Sequence, residues 1–307
     1  MQIIIMKRIS LLLISILLFG ASYSQKHNVL LNLKAGTTYY QTSVSNASIH
    51  QVIDGSDFDM TTTIAGSISF KVLSETDSVY ELQTSYDSLA MTIKLPQGVT
   101  YFSSSSADNI FSMIVSRMKG HPFKVHMYKT GAIKSITGIE ELIEKAISAV
   151  AALPEQQVAQ IKQQLLQAYG EKSFKGSFET VTNILPGKQV GLNEKWEVVT
   201  NMESMMAAKR LTTYTLTGVD ETHFTIEGST TMQTEDKDAY MQIAGSIPKY
   251  NLKGKATSKF IVDKKTGWVL KATADDIASG NVDMKDANGS VTTIPITIQS
   301  SMDITGK

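Results

Sequence analysis

Ser78-Val79-Tyr80-Glu81-Leu82-Gln83-Thr84-Ser85-Tyr86-Asp87-Ser88-Leu89-Ala90-Met91-Thr92-Ile93-Lys94-Leu95 is the stretch on which the reading of this chain turns. Tyr80, Leu82 and Thr84 alternate with Val79, Glu81 and Gln83, so one face is drier than the other. A period of two belongs to a strand, whose successive side chains point to opposite faces. One packed and one solvated face suits an antiparallel sheet.

The same pattern recurs upstream at Asn28 to Leu33, Thr37 to Val44 and Met60 to Val72. Lys34-Ala35-Gly36, Ser74-Glu75-Thr76-Asp77 and Pro96-Gln97-Gly98 supply the Gly, Asp and Pro that reverse a chain, and hairpins follow. The period then changes. Ile110, Phe111, Ile114, Val115 and Met118 recur at helical spacing after Asp108, which the pattern makes an N-cap. Pro122 to Tyr128 and Ile133 to Ile136 form a hairpin about Gly131. Ile139, Leu142, Ile143, Ala146, Ile147 and Val150 then make a sustained apolar stripe opposite Glu140, Glu141, Glu144 and Lys145. Pro154 ends that helix and opens another, with stripe Val158, Ile161, Leu165 and Ala168, closing near Gly170. Residues 171 to 184 carry an ambiguous pattern, compatible with a third helix.

After Pro186-Gly187 the chain returns to strands: Lys195 to Met202, Leu211 to Gly218, His223 to Met232, Tyr250 to Asp263, Trp268 to Ala274, Asn281 to Lys285 and Thr292 to Ile304. Lys264 to Gly267 and Ala287-Asn288-Gly289 are hairpin turns, the second carrying an Asn-Gly signal. Glu235, Asp236, Lys237 and Asp238 read as a solvated hairpin tip. The expected fold is α+β, mostly long antiparallel sheet, curved or half-barrel-like, with a central helical insertion. The expected segments are 1–24, 25–106 (β), 107–184 (helical, with a hairpin) and 185–307 (β). One sheet and two lobes are both compatible with this order. Phe70 to Leu82 can be laid on Tyr214 to Ile226 without a gap, a pattern that duplicated halves and unrelated amphipathic hairpins share.

Lys7 and Arg8 precede an apolar run from Ile9 to Phe19, followed by Gly20 to Gln25 with small residues at Ser22 and Ser24. Basic, apolar and small-residue regions in that order read as a cleavable signal peptide, residues 1–24, too short to span a bilayer. The mature chain is expected in the periplasm or outside the cell, without a membrane span. With no cysteine there is no disulfide framework and no thiol for lipid attachment. Losing Lys7 and Arg8 leaves 27 of the 29 basic residues against 29 acidic ones, a formal charge of −2 that speaks against a nucleic-acid partner.

The runs Met118-Lys119-Gly120-His121-Pro122-Phe123-Lys124-Val125 and Gly131 to Leu142, with Leu185-Pro186-Gly187-Lys188-Gln189-Val190-Gly191-Leu192-Asn193-Glu194-Lys195-Trp196, resemble a family of exported Bacteroidota proteins known only as a domain of unknown function. The resemblance implies an envelope location and a β-rich fold, and it transfers no functional residue. The order strands, helices, strands is also loosely similar to the half-barrel of periplasmic lipoprotein carriers.

Chemical motifs are sparse. His27, His50, His121, His126 and His223 are scattered, and His121 and His126 sit at an odd separation that points them to opposite strand faces. Asp57 and Asp59 share a face without the rest of a calcium loop. Ser103 to Ser106 lacks a nucleophile elbow. No cofactor, metal or catalytic residue is expected, and the chain is not read as an enzyme. Two readings remain. In one, the protein binds or carries a lipid or other apolar small molecule in a cleft lined by Ile110, Phe111, Ile114, Met118, Ile143, Ile147, Val150, Ile161 and Leu165. In the other, it is a structural or interaction module with an envelope protein partner.

Overall fold

The computed structural model describes residues 25–53, 55–150, 154–203, 206–235, 247–286 and 288–307. The expected signal peptide, and Asp236 to Asp238 of the expected hairpin tip, lie outside them. After a two-residue β1 (His27–Asn28) come β2 (Thr38–Ile53), β3 (Ser56–Glu75), β4 (Val79–Leu95) and β5 (Gly98–Ser103). The helical segment holds α1 (Ile110–Met118), β6 (Pro122–Tyr128), β7 (Ile133–Thr137), α2 (Ile139–Ser148), α3 (Glu155–Tyr169) and α4 (Glu171–Thr182). Then follow β8 (Gln189–Val190), β9 (Lys195–Glu203), β10 (Ala207–Val219), β11 (His223–Thr234), β12 (Ile247–Asp263), β13 (Val269–Lys285) and β14 (Val291–Gly306).

Apart from the β1–β8 pair, the described strands make one open, twelve-stranded antiparallel sheet in the order β7-β6-β4-β3-β2-β14-β13-β12-β11-β10-β9. The near half of β4 pairs with β6 and its far half with β5. The two β regions are therefore one sheet, joined where β14 pairs with β2, from Ile296 opposite Gln51 to Gly306 opposite Gln41. In the laid-over hairpins, Phe70 and Tyr214, Tyr80 and Phe224, and Leu82 and Ile226 are all buried.

The strands are long. At about 3.3 Å per residue β3 runs for about 65 Å, and the continuous core lies at one end of the sheet, its base. There Phe70 stacks on Phe178 of α4 at 4.8 Å and meets Trp268 edge-on at 5.6 Å, while Tyr39 lies 5.2 Å from Trp268. Phe174 continues the cluster to Phe123 and Tyr86. The Trp268 indole N–H donates to the Tyr40 carbonyl at 3.2 Å, as a buried indole requires.

Several expectations shift. Val29, Leu31 and Leu33 are buried in alternation, yet this segment is a strap rather than a ladder strand. Its amides bond to loops, Leu31 to the Lys129 carbonyl and Asn32 to that of Thr266. The Tyr80 hydroxyl donates to the Leu31 carbonyl and accepts from the Leu33 amide, each at 3.1 Å. The cap of α1 is Asn109, not Asp108. Its Oδ1 accepts from the Ser112 amide, and its Nδ2, a donor that aspartate lacks, ties to the Tyr101 carbonyl. Residues 269–285 are one strand where two were expected. The polar run between Ala274 and Asn281 is paired on both sides, by β12 and β14, so tertiary hydrogen bonding overrides local preference. Residues 171–182 are helical.

The β6–β7 hairpin docks on the end of α4. Gly131 adopts φ +89, and a Cβ there would stand 1.7 Å from the Thr182 carbonyl oxygen. Beside it, the buried Glu179 carboxylate accepts the Ile133 amide at 2.7 Å. Burial raises the Glu179 carboxyl above its ordinary value, outweighing that hydrogen bond and Lys175, which lower it. A raised carboxyl favours the folded state when protonated, so its stabilisation is full below the unfolded value of about 4.5 and fades as pH rises through the folded one. Glu179→Gln, which keeps an acceptor without the charge, is expected to melt at or above the wild-type temperature at pH 7, with the difference vanishing below about pH 4. Thermal denaturation across pH checks this, and a Gln variant less stable at pH 7 would contradict it.

Candidate functional site

Beyond the aromatic base, the inner face of the sheet changes character. Across β10 to β13 it is built from small residues: Gly228, Gly254, Ala256, Ser258, Ala274, Ala278 and Gly280. The Tyr214 ring lies over Gly228, where a Cβ would come within 2.8 Å of it, and Met232 lies over Gly254. Strands spaced about 4.8 Å apart put β10 and β13 about 14 Å apart in a flat sheet. Arg210 and Asp276, both on this inner face, nevertheless meet at 2.7 Å across two intervening strands. The sheet is therefore rolled here, and small inner side chains make the space for it. Thr212 and Thr230 close a hydrogen bond at 2.8 Å inside the roll.

On the β14–β2–β3–β4 side the inner face is larger and apolar. One row runs Ile298, Ile49, Met60, and another Met302, Ser45, Ile64, Met91, Phe102. Ile49, Ile53, Phe58, Met60, Ile93, Ile294, Ile298 and Met302 are only half-buried, and Ile64 is 40% exposed. At the base, by contrast, Phe70, Val72 and Leu82 on the same strands are completely buried. The described helices concentrate their sheet contacts on β4 to β7, β9 and β13. An apolar trough thus continues the core without being filled like it.

The residues expected to line a cleft are distributed differently. Ile114, Met118, Ile143, Ile147, Ile161 and Leu165 are buried in the continuous core, and Ile110, Phe111 and Val150 are partly buried against it. Phe111 reaches the trough rows through its ring contact with Phe102 at 5.9 Å. The trough's own residues sit on strands, where alternation marks an inner face without marking which part of it a helix covers.

Polar chemistry gathers where core gives way to trough. Among the described residues, Gln41 Nε2, Thr84 Oγ1 and Tyr169 Oη are buried without a hydrogen-bond partner. Gln41 and Tyr86 both flank Ile68 in the ladder, Thr84 is two residues before Tyr86, and the Tyr169 ring packs edge-on to Tyr86 at 6.1 Å. Burial drives the Tyr86 phenol far up, and those of Tyr169 and Tyr214 up to about 12, so all three stay neutral near pH 7. The arrangement offers dispersion contact and neutral hydrogen bonding.

The remaining candidates are separate. Asp57 and Asp59 share an outer face, as their spacing requires, and flank His50 at 3.7 and 2.9 Å; the Asp59 hydrogen bond leads in raising the imidazole. His126 meets Ser135 at 3.2 Å and His223 meets Asp220 at 3.5 Å. The described residues hold no group of three or more His, Cys, Asp or Glu arranged for a metal ion. No described helix is long and apolar enough to cross a membrane.

Residues 77–269 match a family of unknown function, DUF6263. The chain belongs to that family. The matched segment contains both runs singled out in the sequence, Met118 to Leu142 and Leu185 to Trp196. No curated protein matches the chain. Among solved structures, one described as lipid–protein interactions in lipovitellin is similar at a TM-score of 0.47 and 12% identity, over 90% of this chain and 25% of that one. This chain thus spans about a quarter of the lipovitellin chain. An outer membrane channel from Pseudomonas putida F1 is similar at a TM-score of 0.27 and 9% identity, over 90% of this chain and 97% of that one.

The ion pair that spans the roll makes a stability test. Arg210→Leu leaves Asp276 facing the rolled interior without its partner, and is expected to cost about 1–3 kcal/mol in chemical denaturation. Unchanged stability would mean that the small inner residues hold the roll by themselves.

Proposed function

We propose that this protein is an exported binding or carrier module that holds a lipid acyl chain or other apolar molecule against the trough on β14, β2, β3 and β4. The observation that carries the reading is the half-exposed inner row Ile298, Ile49, Met60, with Met302, Ile64 and Met91 beside it. Covering such a surface with an apolar ligand is favourable at about 25 cal/mol per Å² removed from water. Methionines at Met60, Met91 and Met302 suit a floor that adapts to flexible chains, because the unbranched thioether repacks easily. Gln41, at the closed end, offers an amide donor to a ligand's polar terminus. Export is read from the N-terminal pattern of Lys7, Arg8 and the run to Phe19.

Native mass spectrometry with solvent extraction, on protein isolated from its own cells without detergent, should find a reproducible lipid or apolar small molecule. Ile298→Glu puts a charge on the half-exposed trough, and should abolish retention while the protein still folds. Ile147→Glu buries a charge in the core and should lose folding altogether, a cost above about 3 kcal/mol. A clean unliganded mass for the wild type would remove the carrier reading and turn the search to an envelope protein partner.

A further inference from the structure

A second surface is built on the helices rather than the sheet. An open groove of about 670 Å³ lies between the end of α1 and one face of α2. Leu142, Lys145, Ala146 and Ala149, spaced to share one side of the helix, form one wall. Arg117 and His121 form the other, placed by the tight turn in which Gly120 adopts φ +75 and donates to the Tyr86 carbonyl. Ala146 and Ala149 are the smallest side chains available on that face, and they leave the groove empty of protein.

The charge lining it is unused. On neighbouring elements cations find carboxylates, Lys124 of β6 with Glu81 and Lys162 of α3 with Glu144 of α2. Arg117, Lys145 and His121 all reach the groove from exposed positions, and among the described residues none is in an ion pair. Glu141 also lines the groove, so two permanent cations stand against one carboxylate before His121 adds to them. Pro122 and the small exposed edges of the otherwise buried Leu142 and Ala146 supply an apolar strip beside them. A guanidinium fork and an ammonium over an apolar strip select an anion that carries hydrocarbon, since a bare ion would leave the strip wet.

We infer that the groove between α1 and α2 binds the carboxylate or phosphate of a small amphiphile, with Arg117 and Lys145 on the anion and Leu142 and Ala146 on its first carbons. The inference stands apart from the trough, and the two fail separately. Isothermal titration of the purified protein with hexyl phosphate, inorganic phosphate and hexanol tests it. Hexyl phosphate should bind, with the other two at least about tenfold weaker. Arg117→Gln with Lys145→Gln should weaken hexyl phosphate at least about tenfold, and Ala149→Leu, which fills the groove without altering charge, should do likewise. These positions are solvent-exposed, and matching far-UV circular dichroism and melting curves confirm that the variants fold. Ile298→Glu should leave this binding unchanged. Inorganic phosphate binding as tightly as hexyl phosphate would make the ligand a free anion and overturn the amphiphile. Equal binding of hexanol would overturn the anion site. Hexyl phosphate bound undiminished by the variants, or not bound by the wild type, would overturn the groove itself.

Discussion

The hydrogen-bonded ladder between β2 and β14 is the constraint on which the rest of the molecule depends. It joins the first and last strands of the twelve-stranded sheet in chain order, and Lys307 extends it by exchanging backbone hydrogen bonds with Tyr40 at 2.8 and 3.1 Å. Without it, each β region would present a long unpaired edge, and two small cores would replace one. With it, Trp268 at the start of β13 can reach Tyr39, Tyr40 and Phe70, and the helices between the two β regions gain a common surface to pack on.

That surface divides the long strands into two zones with different work. At the base, aromatic side chains from the sheet and α4 interlock, and the strap from Val29 to Leu33 ties the Lys129 loop to the Thr266 turn, contributions from opposite halves of the sheet. Farther along, packing comes from the sheet's own curvature. At Gly228, Gly254 and Gly280 a Cβ would meet Tyr214, the Ile277 carbonyl and the Asn251 carbonyl, and the Arg210–Asp276 pair closes across the roll. Where the inner residues are isoleucine and methionine rather than glycine and alanine, the face stays broad and half-exposed. The trough follows from an uneven distribution of side-chain size along one face.

The helical segment is partly a plug and partly a surface. Phe174 and Phe178 face the sheet, with Glu179 and Thr182 fastening α4 to the β6–β7 hairpin through Ile133 and Gly131. The opposite requirement holds at α2, where the exposed Lys145 and Ala149 face the groove with Arg117 on its other wall. One amphipathic segment can do both because a helix has more than one side, and only the apolar stripe is committed to the core.

The amino-acid sequence by itself determined the elements and the composition of each face. Period two in Ser78 to Leu95, the stripe from Ile139 to Val150 and the turn residues at Gly36 and Lys264 to Gly267 are local signals, set by backbone geometry and by which side chains avoid water. It also carried the match to a family of unknown function, over residues 77–269. Only the tertiary structure decided that the two β regions are one sheet, because the β2–β14 pairing is between segments more than two hundred residues apart and no local pattern encodes its register. It also decided which apolar residues are core and which are surface. Ile147 and Ile298 look alike in sequence, but one is sealed by neighbouring elements and the other is left half-open, since burial belongs to the packing of a whole face and not to the residue that stands on it.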